Sequence, residues 1–190
     1  MAGSMAKAFQ SLKGQFLLDG GDLRGSFFHH SVVLMCQHDA QGALGLVLNR
    51  SLERAIEGLI TEDLLMSLPE EPVFIGGPVQ PSSVSFLYSG AFLSDALVIE
   101  DVALGHSLET LIEFGQSLSE QRRVRVFAGY AGWGPGQLEE EIRRKAWLIH
   151  AATSDLVFHP NPERLWTILI KRMGWPFQML ADAPDDLSLN

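Results

Sequence analysis

Short apolar runs, broken by glycine, proline and polar clusters, recur along most of this chain. Ser31-Val32-Val33-Leu34-Met35-Cys36 is continuous and β-branched, and too short for a typical helix, so it predicts a buried strand. Asp39-Ala40-Gln41-Gly42 reads as a turn and residues 44–48 as a second strand, which makes residues 31–48 a hairpin. Phe16-Leu17-Leu18 predicts a short strand ending at Gly20-Gly21. Val73-Phe74-Ile75 predicts another, Gly76-Gly77-Pro78 a sharp turn, and Val84, Phe86 and Tyr88 alternate as a strand facing a core should. Leu97-Val98-Ile99, the alternating Val124, Val126 and Ala128, Trp147-Leu148-Ile149 and Leu156-Val157-Phe158 add further strands.

Helical spacing appears between these runs. Leu52, Ile56, Leu59 and Ile60 follow Ser51, a good N-cap, within residues 51–68. Ser107 can cap a helix carrying Leu108, Leu111, Ile112 and Leu118. Residues 129–136 read as a glycine-rich loop opening a helix. In that helix Glu139-Glu140-Glu141 precede Arg143-Arg144-Lys145, the order the helix dipole favours. Asn161-Pro162 begins a last helix with Leu165, Trp166, Leu169 and Met173 as its buried stripe and Gly174 as its stop. No repeat or linker divides the chain. The expectation is one domain over residues 15–183, with flexible ends at 1–14 and 184–190. From the second Met after Gly3-Ser4 the expectation is that residues 1–4 are a cloning remnant.

Composition narrows the class. With 190 residues, 46% hydrophobic and 19% charged, the chain can bury a core without staples. A net charge of −9 opposes contact with phosphate backbones. The two basic clusters, Arg122-Arg123-Val124-Arg125 and Arg143-Arg144-Lys145, read as the start of a strand and the end of a helix. Direct sequence-specific DNA binding is therefore not expected. The single Cys36 allows no internal disulfide and suits a reducing compartment. No apolar stretch reaches the length of a membrane span, and the first residues lack a secretory apolar core. The expected location is the cytoplasm, away from any membrane.

Candidate chemistry is sparse. Cys36 and His38, two apart, would share one face of a strand; a thiolate activated by imidazole is the sharp reading, a packed core residue the plain one. His29 and His30 would face opposite sides of a strand, and no metal or other cofactor is expected. The 129–136 glycines precede a helix, as in anion-binding loops, but the phosphate-loop lysine is missing and three glutamates follow. A tight turn with Tyr130 and Trp133 packed on the core is the favoured reading. Asn49, Gly76, Gly77, Pro78, Gly129, Tyr130, Gly132, Trp133 and Gln137 could still converge at strand ends as a ligand cleft, with the two amides as hydrogen-bonders.

Four segments in order carry a resemblance. They are residues 31–38 leading to Gly42-Ala43-Leu44-Gly45-Leu46-Val47-Leu48-Asn49; Gly76-Gly77-Pro78-Val79; residues 129–142, beginning Gly129-Tyr130-Ala131-Gly132-Trp133-Gly134-Pro135-Gly136; and Trp147-Leu148. Together they resemble the bacterial YqgE/AlgH family over nearly the whole chain. The resemblance implies an α+β domain with a bent, barrel-like mixed β-sheet flanked by helices. It carries no catalytic residues onto this chain; the family is commonly labelled a transcriptional regulator. Tyr88 stands where the family often has His, and Ser51 where it often has Pro. Two readings of function follow: a regulatory or interaction protein working indirectly through an unknown protein or small-molecule partner, or a hydrolase-like or nucleotide-binding enzyme using the Asn49, GGPV and GYAGWG segments.

Overall fold

The computed structural model describes residues 9–52, 72–90, 97–107, 109, 111 and 123–181. The helix expected over 51–68, and most of that expected over 107–118, lie outside these residues. Strands β1 (Gln15–Asp19), β2 (Val32–Asp39), β3 (Gly42–Val47), β4 (Phe74–Ile75), β5 (Val79–Ser89), β6 (Leu97–Ile99), β7 (Val102–Gly105), β8 (Val124–Trp133) and β9 (Trp147–Ala151) form one nine-stranded sheet. Its order is β6-β7-β5-β8-β3-β2-β1-β9, with β4 added to β8 in parallel and all other pairs antiparallel. The described helices are α1 (Gln137–Arg143), α2 (Ser154–Val157), α3 (Leu165–Arg172) and α4 (Trp175–Ala181), with a 3₁₀ turn at Pro162–Arg164. This is a single-domain α+β fold whose sheet curls into a half-barrel.

The curl follows from how the strands alternate. Phe16, Leu18, Val32, Leu34, Leu46, Leu48, Phe74, Leu87, Val98 and Phe127 reach one shared cluster from nearly every strand, and Leu165, Trp166, Leu169 and Ile170 of α3 fill it. That is the concave side. The convex side carries two smaller clusters. One is built on Val33, Met35, Val47, Trp133 and Trp147 beneath Leu138 of α1, the other on Phe86, Tyr88, Val124 and Val126. Phe16, Phe74, Phe86 and Phe127 are at most 1% exposed. Burial at that level contributes about 1.5–3 kcal/mol per side chain.

Several expectations change. Residues 129–133 are not a loop but the second half of β8, a ten-residue strand. Leu156 and Val157 lie in α2 rather than in a strand; an apolar triplet is too short for its period to separate the two. Strand β7 and helix α4 were not anticipated. Asn161 precedes the 3₁₀ turn without a side-chain capping bond. Of the segment expected to be loose, residues 9–14 lie against β2: Gly14 N donates to Met35 O at 2.8 Å and Ser11 Oγ to His38 O at 2.8 Å.

Candidate functional site

The glycine motifs meet each other. Gly76 N donates to Ala128 O at 2.8 Å and Gly76 O accepts from Val47 N at 2.9 Å, so this residue ties β3 to β8. A Cβ at Gly77 would lie 2.1 Å from the carbonyl carbon of Tyr130, and one at Gly76 would lie 2.3 Å from Gly129 O. Gly129 in turn holds φ at 69°. The glycines are there because two backbones touch, and no side chain fits between them. Pro78 is exposed beside this crossing, and Gly132, also exposed, faces the Tyr130 ring. Tyr130 is half-buried against the concave core.

Trp133 and Gln137 belong to a second network, centred on a residue with no conspicuous spacing. Glu141 Oε2 accepts the indole N–H of Trp133 and that of Trp147, each at 2.8 Å, while its Oε1 accepts from Gln137 Nε2 at 2.9 Å. Gln137 Oε1 accepts from Gly134 N at 3.1 Å. One carboxylate thus fixes the end of β8, the start of α1 and the start of β9. Asn49 sits in a third network. Its Oδ1 accepts from Val32 N and its Nδ2 donates to His30 O, both at 2.8 Å, which clamps the chain leading into β2.

Asp19 completes that clamp. Its buried carboxylate accepts from Gly21 N at 2.8 Å, Leu23 N at 3.3 Å and His30 N at 2.8 Å, with His29 Nδ1 3.4 Å away. His29 and His30 do not face opposite sides as expected. They lie in the turn before β2, His30 at φ 54°, with their rings stacked at 3.8 Å and His30 stacked on Trp166. Ligand atoms of Asp19, His29 and His30 come within 4.8 Å of one another. The two rings are only 28° from parallel. Each nitrogen lone pair lies in its own ring plane, so stacked rings are poorly aimed at a shared ion, and three backbone N–H groups already engage the Asp19 carboxylate. The group is built as a turn clamp.

Cys36 and His38 do not share a face. The β2–β3 register slips between Met35 and Gln37, a β-bulge that reverses the alternation. Cys36 packs into the concave core, and burial pushes its thiol up to about 12. His38 turns to the convex side. Its Nδ1 accepts Leu12 N–H at 2.9 Å, so Nε2 is the protonated nitrogen and donates to Glu139 Oε1 at 3.1 Å.

A sizeable cavity lies elsewhere. It measures about 590 Å³ and opens at one mouth of the half-barrel, where β1 and β8 begin and β9 ends. Its polar lining comprises Lys13, Glu100, Asp101, Arg123, Thr153, Ser154 and Asp155. Residues from β6 and from just beyond β9, the two ends of the strand order, share this wall, so the cavity marks where the curled sheet nearly closes. Mouths of barrels are common ligand sites. Arg123 Nη1 donates to Asp155 Oδ1 at 3.1 Å and Nη2 to Ser154 Oγ at 2.8 Å, and the guanidinium lies over the Phe158 ring. The sequence reading missed these residues because each is an isolated polar position at a strand end. The one available signal was Arg122-Arg123-Val124-Arg125, whose middle arginine faces the cavity.

A curled half-barrel whose most prominent motifs hold its own strands together defines a class by fold, not by reaction. The AlgH-like family model matches residues 16–178, and the chain belongs to that family. It is 37% identical over 184 residues to a UPF0301 protein of Cytophaga hutchinsonii, covering 94% of this chain and 98% of the relative. A UPF0301 protein of Chlorobium limicola is 36% identical over 196 residues, covering 98% and 100%. The solution structure of the AlgH protein from Pseudomonas aeruginosa matches with a TM-score of 0.68 and 28% identity over 97% of this chain and 98% of that one. Protein DIP2367 from Corynebacterium diphtheriae shares the fold, with a TM-score of 0.75 at 24% identity over 94% and 95%. No helix among the described residues is long and apolar enough to cross a membrane.

Proposed function

We propose that this protein is a regulatory binding module, acting through a partner or small ligand, and that any part in transcription is indirect. The observation that supports this reading most is the division of labour among its polar residues. The groups that suggest chemistry in the sequence are held inside the scaffold: Cys36 in the core, His38 between Leu12 and Glu139, Asp19 under three backbone N–H groups. The mouth cavity, by contrast, presents charges and hydroxyls toward solvent, and among its described lining residues the Ser154 hydroxyl is engaged by Arg123 rather than by a base. Such a site suits recognition.

The test is a thermal-shift screen of metabolites, peptides and nucleotides on the wild type and on Arg123→Gln. The expected result is a ligand class that raises Tm in the wild type and not in the variant. Catalytic turnover of any such ligand by the pure protein would overturn the reading.

A further inference from the structure

The mouth cavity also indicates what it binds, an inference that rests on the binding role proposed above. Among the described residues its lining holds two cations, Lys13 and Arg123, and three carboxylates, Glu100, Asp101 and Asp155. A polyphosphate would meet the carboxylates and be repelled, and a polycation would meet Arg123 and Lys13. A ligand with one charge of each sign avoids both penalties.

Arg123 is the prepared half. Apart from its pair with Asp155, the Ser154 hydroxyl and the Phe158 ring, 4.9 Å away, already hold its guanidinium. It therefore has little freedom left to lose on binding. Its partner Asp155 is 94% exposed and Arg123 itself 37%. An ion pair that open to water contributes little, and a ligand carboxylate can take its place.

Strand register fixes the backbone separation between the two walls that carry the opposite charges. Val124 of β8 pairs with Tyr88, and the adjacent Ser89 pairs with Val102 of β7. Arg123 and Asp101 each precede one of these outer strands, with β5 between them. Two strand spacings put their backbones roughly 10 Å apart. A free amino acid is shorter than that backbone separation. About three extended residues, at 3.3–3.6 Å each, match it. The cavity's volume, about 590 Å³, lies within the usual range for small-ligand sites.

We propose that the mouth cavity binds a short peptide with free termini, its carboxylate at Arg123 and its ammonium at Glu100 and Asp101, with Lys13, Thr153 and Ser154 on the walls. The site would thus sense peptides of about three residues released by proteolysis, or the paired ends of a small zwitterion of that length.

The experiment is calorimetry on the full chain with Ala-Xaa-Ala tripeptides, each also N-acetylated or C-amidated, and with free alanine. Binding by free-ended tripeptides is expected, weakened about tenfold or more by either cap, with alanine weaker still. Arg123→Gln should weaken the free peptide but leave its amide unchanged, and Asp101→Asn should weaken the free peptide but leave its N-acetyl form unchanged. Lys13→Gln, at an exposed position, repeats the carboxylate arm should Arg123→Gln fail to fold. Equal binding of capped and free peptides, or no binding at millimolar concentration, overturns the ligand class. If a different class then raises Tm in an Arg123-dependent way, the binding role stands without the peptide. If nothing does, both fall.

Discussion

Trp133 donates its indole N–H to Glu141 Oε2 at 2.8 Å, across the junction of β8 and α1. The same oxygen accepts from Trp147, so removing one carboxylate leaves two partly buried N–H groups without an acceptor. An unsatisfied donor costs about 1–3 kcal/mol. Glu141→Ala should therefore lower the stability read from urea melts by about 2–5 kcal/mol. Glu141→Gln, whose amide oxygen can still accept, should cost less. Equal melts for wild type and Glu141→Ala would show that the network is incidental. Trp133→Ala should cost about 3–5 kcal/mol, since it also empties the convex core.

The glycines divide into two kinds, and substitution should separate them. Gly77→Ala would place a methyl 2.1 Å from the Tyr130 backbone, where nothing can yield. The variant should fail to accumulate as folded protein. Gly136, the N-cap of α1, has φ 75° and nothing within 4 Å. Gly136→Ala should fold and cost only about 1–2 kcal/mol, for the left-handed conformation. Circular dichroism melts of both variants check this, and a normal melt for Gly77→Ala would refute the close crossing.

Cys36 should be silent to thiol reagents in the native state. Burial holds its thiol proton to about 12, against 9.0 for the ordinary group. Labelling at pH 8 should appear only when urea unfolds the chain. The sign of the linkage follows: the unfolded chain gives up this proton first, so the contribution is fully present below pH 9.0 and is lost as pH rises toward about 12. Cys36→Ser should remove that alkaline component. Rapid native labelling would contradict the burial.

Part of each basic cluster is engaged within the fold, which bears on DNA, while Arg122 lies outside the described residues. Buried Arg125 donates to Val157 O and His159 O at 2.7 and 2.6 Å. Arg143 and Arg144 both bond to Glu140, and those bonds, Arg143's first, hold its carboxyl below the ordinary range. With a net charge of −9, fluorescence anisotropy should show no duplex binding at physiological salt. A salt-resistant, sequence-specific complex would refute this.

How much was legible depended on how each residue announces itself. The 31–48 hairpin and the alternation of Val84, Phe86 and Tyr88 were readable because burial of one sheet face imposes a period of two. The bulge at Cys36 was not, since one extra residue changes pairing without changing composition, and it reversed the inferred relation to His38. Gly129 and Gly132 looked like loop residues because glycine usually marks a turn; here Gly129 lets β8 run beneath Gly76 and Gly77, and Gly132 leaves room for the Tyr130 ring. Asn49 and Gln137 were readable as hydrogen-bonders but not as members of separate networks. Glu141 was hidden among three glutamates, and Lys13, Asp101 and Arg123 come together only when the sheet curls.

The central claim is that binding occurs at the mouth of the half-barrel while the glycine motifs serve as scaffold. Amide chemical-shift mapping with the ligand that raises Tm most in the screen tests this most directly. The account predicts perturbations clustered at Lys13, Gly14, Val98–Asp101 and Thr153–Asp155, lost in Arg123→Gln. Perturbations centred instead on Gly76, Gly77, Gly129, Tyr130 and Gln137 would contradict it and return the site to the motifs.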